Sequence, residues 1–301
     1  MPSHNNQQNL DKSHYVIRGG IEGRNRLRIL SRVMWPSTLH LLQRAGIRPG
    51  MVCLDIGCGG GDVSCELARL VGPHGRVIGM DIDEVKIDLA RKEAAASGIP
   101  NLEFRTCNLS ETSPEPEFDF IYARFLLTHL PEPSAFLAKI HQALRPSGTL
   151  VVADIDFRGY FSYPESASVA RYVDLYTQAV KRRGGDPNIG PRLPALLSAA
   201  GLTEIQMSVT HPAGLDPEVK LMTPLTMENI ADAVVAEGLA SRTEIDQTRR
   251  GSLSIRVYPR HHRLHAARVR DLGPPPSSVA VRNVFGTVAE CRRYRWRELT
   301  H

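Results

Sequence analysis

Between Met51 and Gly61 the chain reads MVCLDIGCGGG. A short apolar run (Met51, Val52, Cys53, Leu54, Ile56) carries one acid, Asp55, and passes into four glycines within five positions. Asp62 to Val71 follows as an amphipathic segment with Val63, Leu67, Ala68 and Val71 at helical spacing. Strand, glycine loop and helix in that order leave few folds open. The glycines let the loop turn tightly and bring backbone N–H groups close to a ligand, and the helix start adds its positive end. A nucleotide-like cofactor is expected at this turn.

Two familiar versions of that turn do not match. The dinucleotide pattern G-x-G-x-x-G fails in its last place, where Asp62 stands, and no Gly-Lys-Ser/Thr comes after it to make a P-loop. What is present is D-x-G-x-G-x-G, formed by Asp55, Gly57, Gly59 and Gly61. This resembles the first motif of class I S-adenosylmethionine (SAM)-dependent methyltransferases. A plain turn between strand and helix would also use such glycines, so the downstream strands carry the weight.

Arg76 to Met80 reads as a second strand ending at Asp81, with Asp83 two residues on. A carboxylate at that strand tip can accept both hydroxyls of a ribose. Asp83 suits the N-cap of a helix from Asp83 to Ala96 better. By the resemblance, Ile82 lies against adenine. A third strand, Leu102 to Thr106, ends at Cys107, Asn108 and Leu109. Many family members carry Asp where Asn108 stands, and the Asn side-chain oxygen can still accept from an adenine amino group. The fourth strand, Phe118 to Tyr122, leads into ARFLLTHLPEP. Family members show F-D-x-[IV], a short apolar segment, His-Leu and Pro at this place, with Ala123 or Arg124 bordering the methionine part of SAM. A helix from Pro133 to Leu144, a turn at Pro146-Ser147-Gly148 and a fifth strand from Thr149 to Asp154 complete the cofactor half. The resemblance covers residues 15–247, and its specific motifs lie in 51–154. The cofactor-binding positions it implies are Tyr15, Arg26, Asp55, Gly57, Cys58, Gly59, Gly61, Asp81, Ile82, Asn108, Leu109 and Ala123.

Three regions lie outside that half. In 15–49, apolar positions suggest two amphipathic helices broken at Pro36. In similar methyltransferases a tyrosine, a glycine pair and an arginine here close over the cofactor, so Tyr15 and Arg26 (or Arg24) would hold the SAM carboxylate. Solvated arginines on a surface helix are the plainer alternative. After strand five, an insertion at about 155–192 carries Tyr160, Phe161 and Tyr163 and a helix from Glu165 to Arg183. Enzymes of this fold bind the second substrate outside the carboxyl ends of the strands. Asp154, Asp156 and Tyr160 are therefore candidates for positioning or deprotonating a methyl acceptor, with Arg124 beside them and Asn188 and Arg192 within reach. His129 is either a base or a packed core histidine. His211 ends a sixth strand, Glu204 to His211, and is a further acid–base candidate; helical material comes next, from Met227 to Leu239.

Composition narrows the partners. Five cysteines (53, 58, 65, 107, 291) form no CxxC pair, which fits reduced thiols in a cytoplasmic protein. The start is polar and without a signal peptide's apolar segment, no apolar stretch approaches the roughly 18–20 residues of a membrane span, and no cluster has metal-ligand spacing. From Thr248 on, twelve arginines, no lysine and three acids give +9 against +5 for the whole chain, so residues 1–247 carry −4. An acidic body argues against nucleic acid as a partner. The chain also lacks the N/D-P-P-Y/F/W and Pro-Cys motifs of DNA methyltransferases.

The tail departs from the body. Similar methyltransferases end in an antiparallel strand with Trp-Gly-Arg-Arg near its end, whereas Leu272-Gly273-Pro274-Pro275-Pro276 stands here, and GC-rich codons for it read one base later give Trp-Gly-Arg-Arg. A reading-frame slip near residue 248 is one expectation, with the last strand missing or replaced by a makeshift one such as Ser252 to Tyr258; an Arg-rich tail for acidic partners is the other. The expected fold is α/β: a doubly wound, mostly parallel sheet of the seven-stranded, Rossmann-like class I methyltransferase type. An N-terminal helical cap (1–49), a core (50–247) and an atypical, poorly ordered tail (248–301) make up the expected domains. The implied function is SAM-dependent methyl transfer to an O, N or C nucleophile of a small molecule. A cyclase or SAM-binding module on the same fold is the alternative, and a nucleic-acid methyltransferase a more distant one.

Overall fold

Alternation along the strands builds both faces of one sheet. In β1 (Val52–Ile56), Leu54 and Ile56 point to one side and Cys53 and Asp55 to the other. Leu54 pairs with Ile78 of β2 (Arg76–Asp81) and Ile121 of β4 (Phe118–Arg124), so apolar positions line up across the sheet. The computed structural model describes residues 15–108, 117–212, 217–253 and 287–292. Its strands, with β3 (Leu102–Thr106), β5 (Leu144–Asp154), β6 (Thr203–Val209) and β7 (Thr287–Arg292), run in the order β3-β2-β1-β4-β5-β7-β6. The first five are parallel, and β7 is antiparallel to both neighbours.

Eight helices among the described residues surround this sheet: α1 (Gly20–Arg44), α2 (Asp62–Val71), α3 (Glu84–Ala96), α4 (Pro133–Ala143), α5 (Ala167–Arg182), α6 (Leu193–Ala199), α7 (Pro217–Ala236) and α8 (Arg242–Leu253). One face buries Leu54, Ile56 and Ile78 under Leu137 and Ile140 of α4 and Leu193 and Leu197 of α6. The other buries Cys53, Val77 and Phe120 under Leu42 of α1 and Leu67 and Val71 of α2. A separate apolar cluster joins Val16 and Ile17 to Tyr172, Tyr176, Ala179, Met227, Ile230 and Ile245, and forms a helical cap from the N-terminal segment, α5, α7 and α8. Among the described residues no helix is long and apolar enough to cross a membrane.

The structure corrects the sequence reading in four places. Residues 20–44 form one helix with Pro36 inside it, not two; Ser37 Oγ donates to Met34 O (2.8 Å) beside the proline, and Thr38, Leu41 and Leu42 continue the buried face. β5 begins at Leu144, and the expected turn survives as an irregularity with Ser147 at φ 65°, after which pairing resumes with Phe120 against Thr149. Thr248 is not a boundary, because α8 runs to Leu253 and buries Ile245, Thr248 and Ser252. The last strand is present at Thr287–Arg292, which fills the gap between β5 and β6; of the stretch 252–258 expected as its makeshift replacement, Ser252 and Leu253 are helical and the remainder lies outside the described residues. The rest of the tail, with its expected frame slip or acidic partner, lies outside the described residues.

Candidate functional site

Loop 57–61 leaves the carboxyl end of β1 with Gly57, Gly59 and Gly61 at positive φ. At Gly61 (φ 79°) a Cβ would stand 2.4 Å from the Phe104 ring, so both conformation and space demand glycine. Gly59 N donates to Asp81 Oδ2 (2.8 Å), and Asp81 Oδ1 accepts from Asp83 N (2.9 Å). The tip of β2 thus grips the glycine loop, while each carboxylate oxygen keeps lone-pair capacity toward the cavity. Asp83 caps α3 by accepting from Lys86 N, as its position suggested, and also holds the start of α1 through Gly20 N (3.2 Å). Asp55 accepts from Ser64 Oγ (2.6 Å), and burial lifts its carboxyl to about 6.

A cavity of about 530 Å³ runs from this loop into the cap. The side next to the loop is lined by Asp55, Gly57, Cys58, Gly59, Asp81 and Ile82, with Cys107 and Asn108 beyond. Its far side is aromatic. Phe157 stacks on Tyr176 at 4.1 Å and 4°, Tyr160 lies 5.8 Å from Phe157, and Tyr172 meets Tyr160 edge-on at 5.4 Å. Tyr160 Oη and Thr223 Oγ1 hydrogen-bond across the cap. Between the two sides stand Tyr15 and His129, their rings 4.5 Å apart and edge-on. His129 is buried with neither ring nitrogen hydrogen-bonded; burial, with Arg26 and Lys86 nearby, pushes it down to about 3, so the imidazole is neutral. Lys86 is buried, reaches Asp83 Oδ2 at 3.5 Å and lies 5.2 Å from the Tyr15 ring centre. Arg124 lines the cavity and donates to Thr38 Oγ1 at 3.3 Å.

The two arginines that are alternatives for one role, Arg26 and Arg24, lie on different sides of α1. Arg24 is bound to both oxygens of Asp62 (2.5 and 3.0 Å) and to Glu93 (2.6 Å), against the glycine loop. Arg26, roughly 200° further round the helix, points to α7, where its Nε donates to Thr226 Oγ1 (3.0 Å).

Other expected site residues are employed elsewhere. Asp154 does not line this cavity; it is fully buried, accepts from Thr128 N (3.2 Å) and Ile155 N (2.9 Å), and pins the turn after β4 to the end of β5. Asp156 is likewise outside the cavity lining and is held by Arg158 through N (3.2 Å), Nε (2.7 Å) and Nη2 (2.6 Å). Arg192 pairs with Asp186 (2.7 Å), whose other oxygen accepts from Asn188 N (2.9 Å), so both residues serve the turn before α6. Ala123 is buried in the core and Gly61 packs under Phe104, so neither lines the cavity. His211 does, stacked 5.0 Å from Phe161. Leu109 lies outside the described residues. Sequence reasoning missed Lys86, Phe157, Tyr172, Tyr176, Thr223 and Thr226, although Tyr172 and Tyr176 stand four apart on the apolar face of α5. Among the described residues no group of three His, Cys, Asp or Glu comes together as metal ligands would.

Burial raises Asp154 to about 7 from its ordinary 3.8. The folded protein therefore keeps a proton that the unfolded chain releases near pH 4, and this group's contribution to stability is lost as pH rises from about 4 to about 7. Asp154→Asn cannot ionise. Its thermal midpoint, though lower overall because Asn offers one acceptor to two N–H groups, should fall less steeply than wild type across that window; equal slopes in thermal scans at pH 4, 5.5 and 7 would show that Asp154 does not titrate there.

Comparison with known proteins points to the same fold. Residues 47–182 match the family model described as a methyltransferase domain. The ubiquinone/menaquinone biosynthesis C-methyltransferase UbiE of Marinomonas sp. (strain MWYL1) is 35% identical over 141 residues, 46% of this chain and 53% of that protein. UbiE of Shewanella sp. (strain W3-18-1) is 30% identical over 149 residues, 49% of this chain and 57% of that protein. The chain thus spans about half the length of the curated relatives it matches. Phosphoethanolamine N-methyltransferase 2 of Haemonchus contortus, solved with SAM, superposes with a TM-score of 0.55 at 18% identity over 89% of this chain and 56% of that one. The 4+2 cyclase SpnF gives 0.50 at 17% over 86% and 81%. The fold is that of class I, SAM-dependent methyltransferases. The matched residues, 47–182, hold the glycine loop and the first five strands and lie beneath the helical cap.

Proposed function

We propose that the protein transfers a methyl group from SAM to an O, N or C nucleophile of a small-molecule acceptor. The observation that carries this reading is the continuous cavity joining the Gly57–Asp81 corner to the aromatic chamber under the cap. When bound, SAM supplies a methyl already activated by its sulfonium. The residues fit it: Asp81 presents carboxylate oxygens where a ribose would lie, Ile82 and Asn108 stand where adenine would, and the loop lets backbone approach the methionine end. The domain match and the methyltransferase names of the relatives support the same reading. Those names differ in acceptor atom, C in UbiE and N in the Haemonchus protein, so the acceptor atom stays open.

The chain's own part is then to orient the acceptor and exclude water, and alignment of reactants can supply much of the rate. His129, held near 3, is a poor proton acceptor at neutral pH, so we assign its unpaired nitrogens to hydrogen-bonding the acceptor rather than deprotonating it. Cys53, Cys58, Cys65 and Cys107, none of them in a disulfide among the described residues, support a reducing, cytoplasmic setting. SpnF shows that a cyclase can share the fold. Incubation with methyl-labelled SAM and small-molecule extracts separates the readings: label should appear in a low-molecular-weight product, whereas SAM binding without any transfer favours a cyclase or binding module.

A further inference from the structure

Arg26 is an unusual cation. It is 8% exposed, lies on the wall of the cavity, and among the described residues makes no ion pair. Its single hydrogen bond there, from Nε to Thr226 Oγ1, leaves the two terminal nitrogens of the fork unpaired. A buried guanidinium without an acid is costly unless a ligand completes it. Neighbouring arginines in the same helix show the usual arrangement: Arg24 and Arg28 share Glu93, and Arg32 pairs with Glu218.

Its surroundings say what kind of ligand. The field of Arg26 reaches His129, Tyr160, Tyr172 and Tyr176, so the charge sits beside the aromatic wall and the unpaired imidazole. No carboxylate competes for it from α5 or α7: the acids described on those helices, Asp174, Glu218, Glu228 and Asp232, pair with Arg171, Arg32, Arg249, and Arg18 and Arg242. Stacked rings offer flat apolar area, and a guanidinium fork matches the two oxygens of a carboxylate.

We propose that the methyl acceptor is a planar, largely apolar molecule bearing a carboxylate, and that Arg26 binds that carboxylate while Phe157, Tyr160, Tyr172 and Tyr176 hold its flat body. This deepens the methyltransferase reading and rests on it. The rival ligand for Arg26 is the carboxylate of SAM itself, so the test separates donor from acceptor.

S-adenosylhomocysteine (SAH)-loaded full-length protein is titrated with 2-naphthoate and with neutral 2-naphthalenemethanol, which share a planar body and differ in charge. Wild type should bind naphthoate about tenfold tighter or better, the worth of one charge-assisted bidentate contact. Arg26→Gln should abolish that preference and Arg26→Lys should keep part of it, since lysine retains the charge without the fork. SAH affinity should stay within about twofold in both, which also reports that they fold. Equal binding of the two probes by wild type, or of neither at millimolar concentration, overturns the inference. So does a roughly tenfold loss of SAH affinity in Arg26→Gln with naphthoate preference intact, which gives Arg26 to the donor. Should Arg26→Gln not fold, the wild-type comparison and Arg26→Lys decide. Failure of wild type to bind SAH overturns the methyltransferase reading and this inference with it; SAH binding without naphthoate preference overturns this inference alone.

Discussion

On the proposed function, Asp81→Ala should weaken SAM binding by about 1–3 kcal/mol, roughly fivefold to 150-fold, because a carboxylate that would accept charge-assisted hydrogen bonds from ribose hydroxyls is lost. The same side chain holds Gly59 N and Asp83 N, so the variant also releases the glycine loop and the start of α3. Asp81→Asn separates the two effects, since an amide oxygen can keep one of those bonds while the charge is gone. Calorimetry should find Asn intermediate between wild type and Ala. An Ala variant with wild-type SAM affinity would remove Asp81 from the cofactor site.

Gly61→Ala should cost fold stability as well as binding. At φ 79° an L-residue is strained by about 1–2 kcal/mol. The new Cβ would lie 2.4 Å from Cζ and 2.7 Å from Cε1 of Phe104, whose ring is itself buried against Ala90 and Ile87 of α3. Overpacking of that kind adds about 1–3 kcal/mol, so the thermal midpoint should fall by roughly 5–10 °C. Gly98→Ala is the control: it shares a positive φ (62°) and has nothing within 4 Å of a Cβ, so it should show the strain alone. Equal losses in the two variants would mean that Phe104 yields without cost.

The cofactor half was legible because local chemistry decides it. A glycine loop between strand and helix, acids at strand tips and parallel strands rich in apolar residues leave traces within a few positions of each other, and β1, α2, β2 and β3 fall where the pattern places them. The far, aromatic half of the cavity was not, because its residues act through tertiary partners. Asp154 and Asp156 stand at a strand end, as site acids do, but their oxygens are taken by Thr128 N and Ile155 N and by Arg158. Lys86 reads as an ordinary helix lysine until Asp83 and Tyr15 close around it. Thr223 and Thr226 reach the cavity only because α7 folds back over α1 and α5. Pro36 reads as a break, yet packing of Thr38, Leu41 and Leu42 carries the helix past it. In the tail, arginine content hid a strand whose place is set by the open position between β5 and β6.

On this reading the corner formed by the 57–61 loop and Asp81 is built for SAM. Calorimetric titration of the full chain with SAM and, separately, with NAD decides it. One SAM bound per chain, displaced by SAH and not by NAD, is the predicted result; preferential binding of NAD, or no binding of SAM, would contradict it.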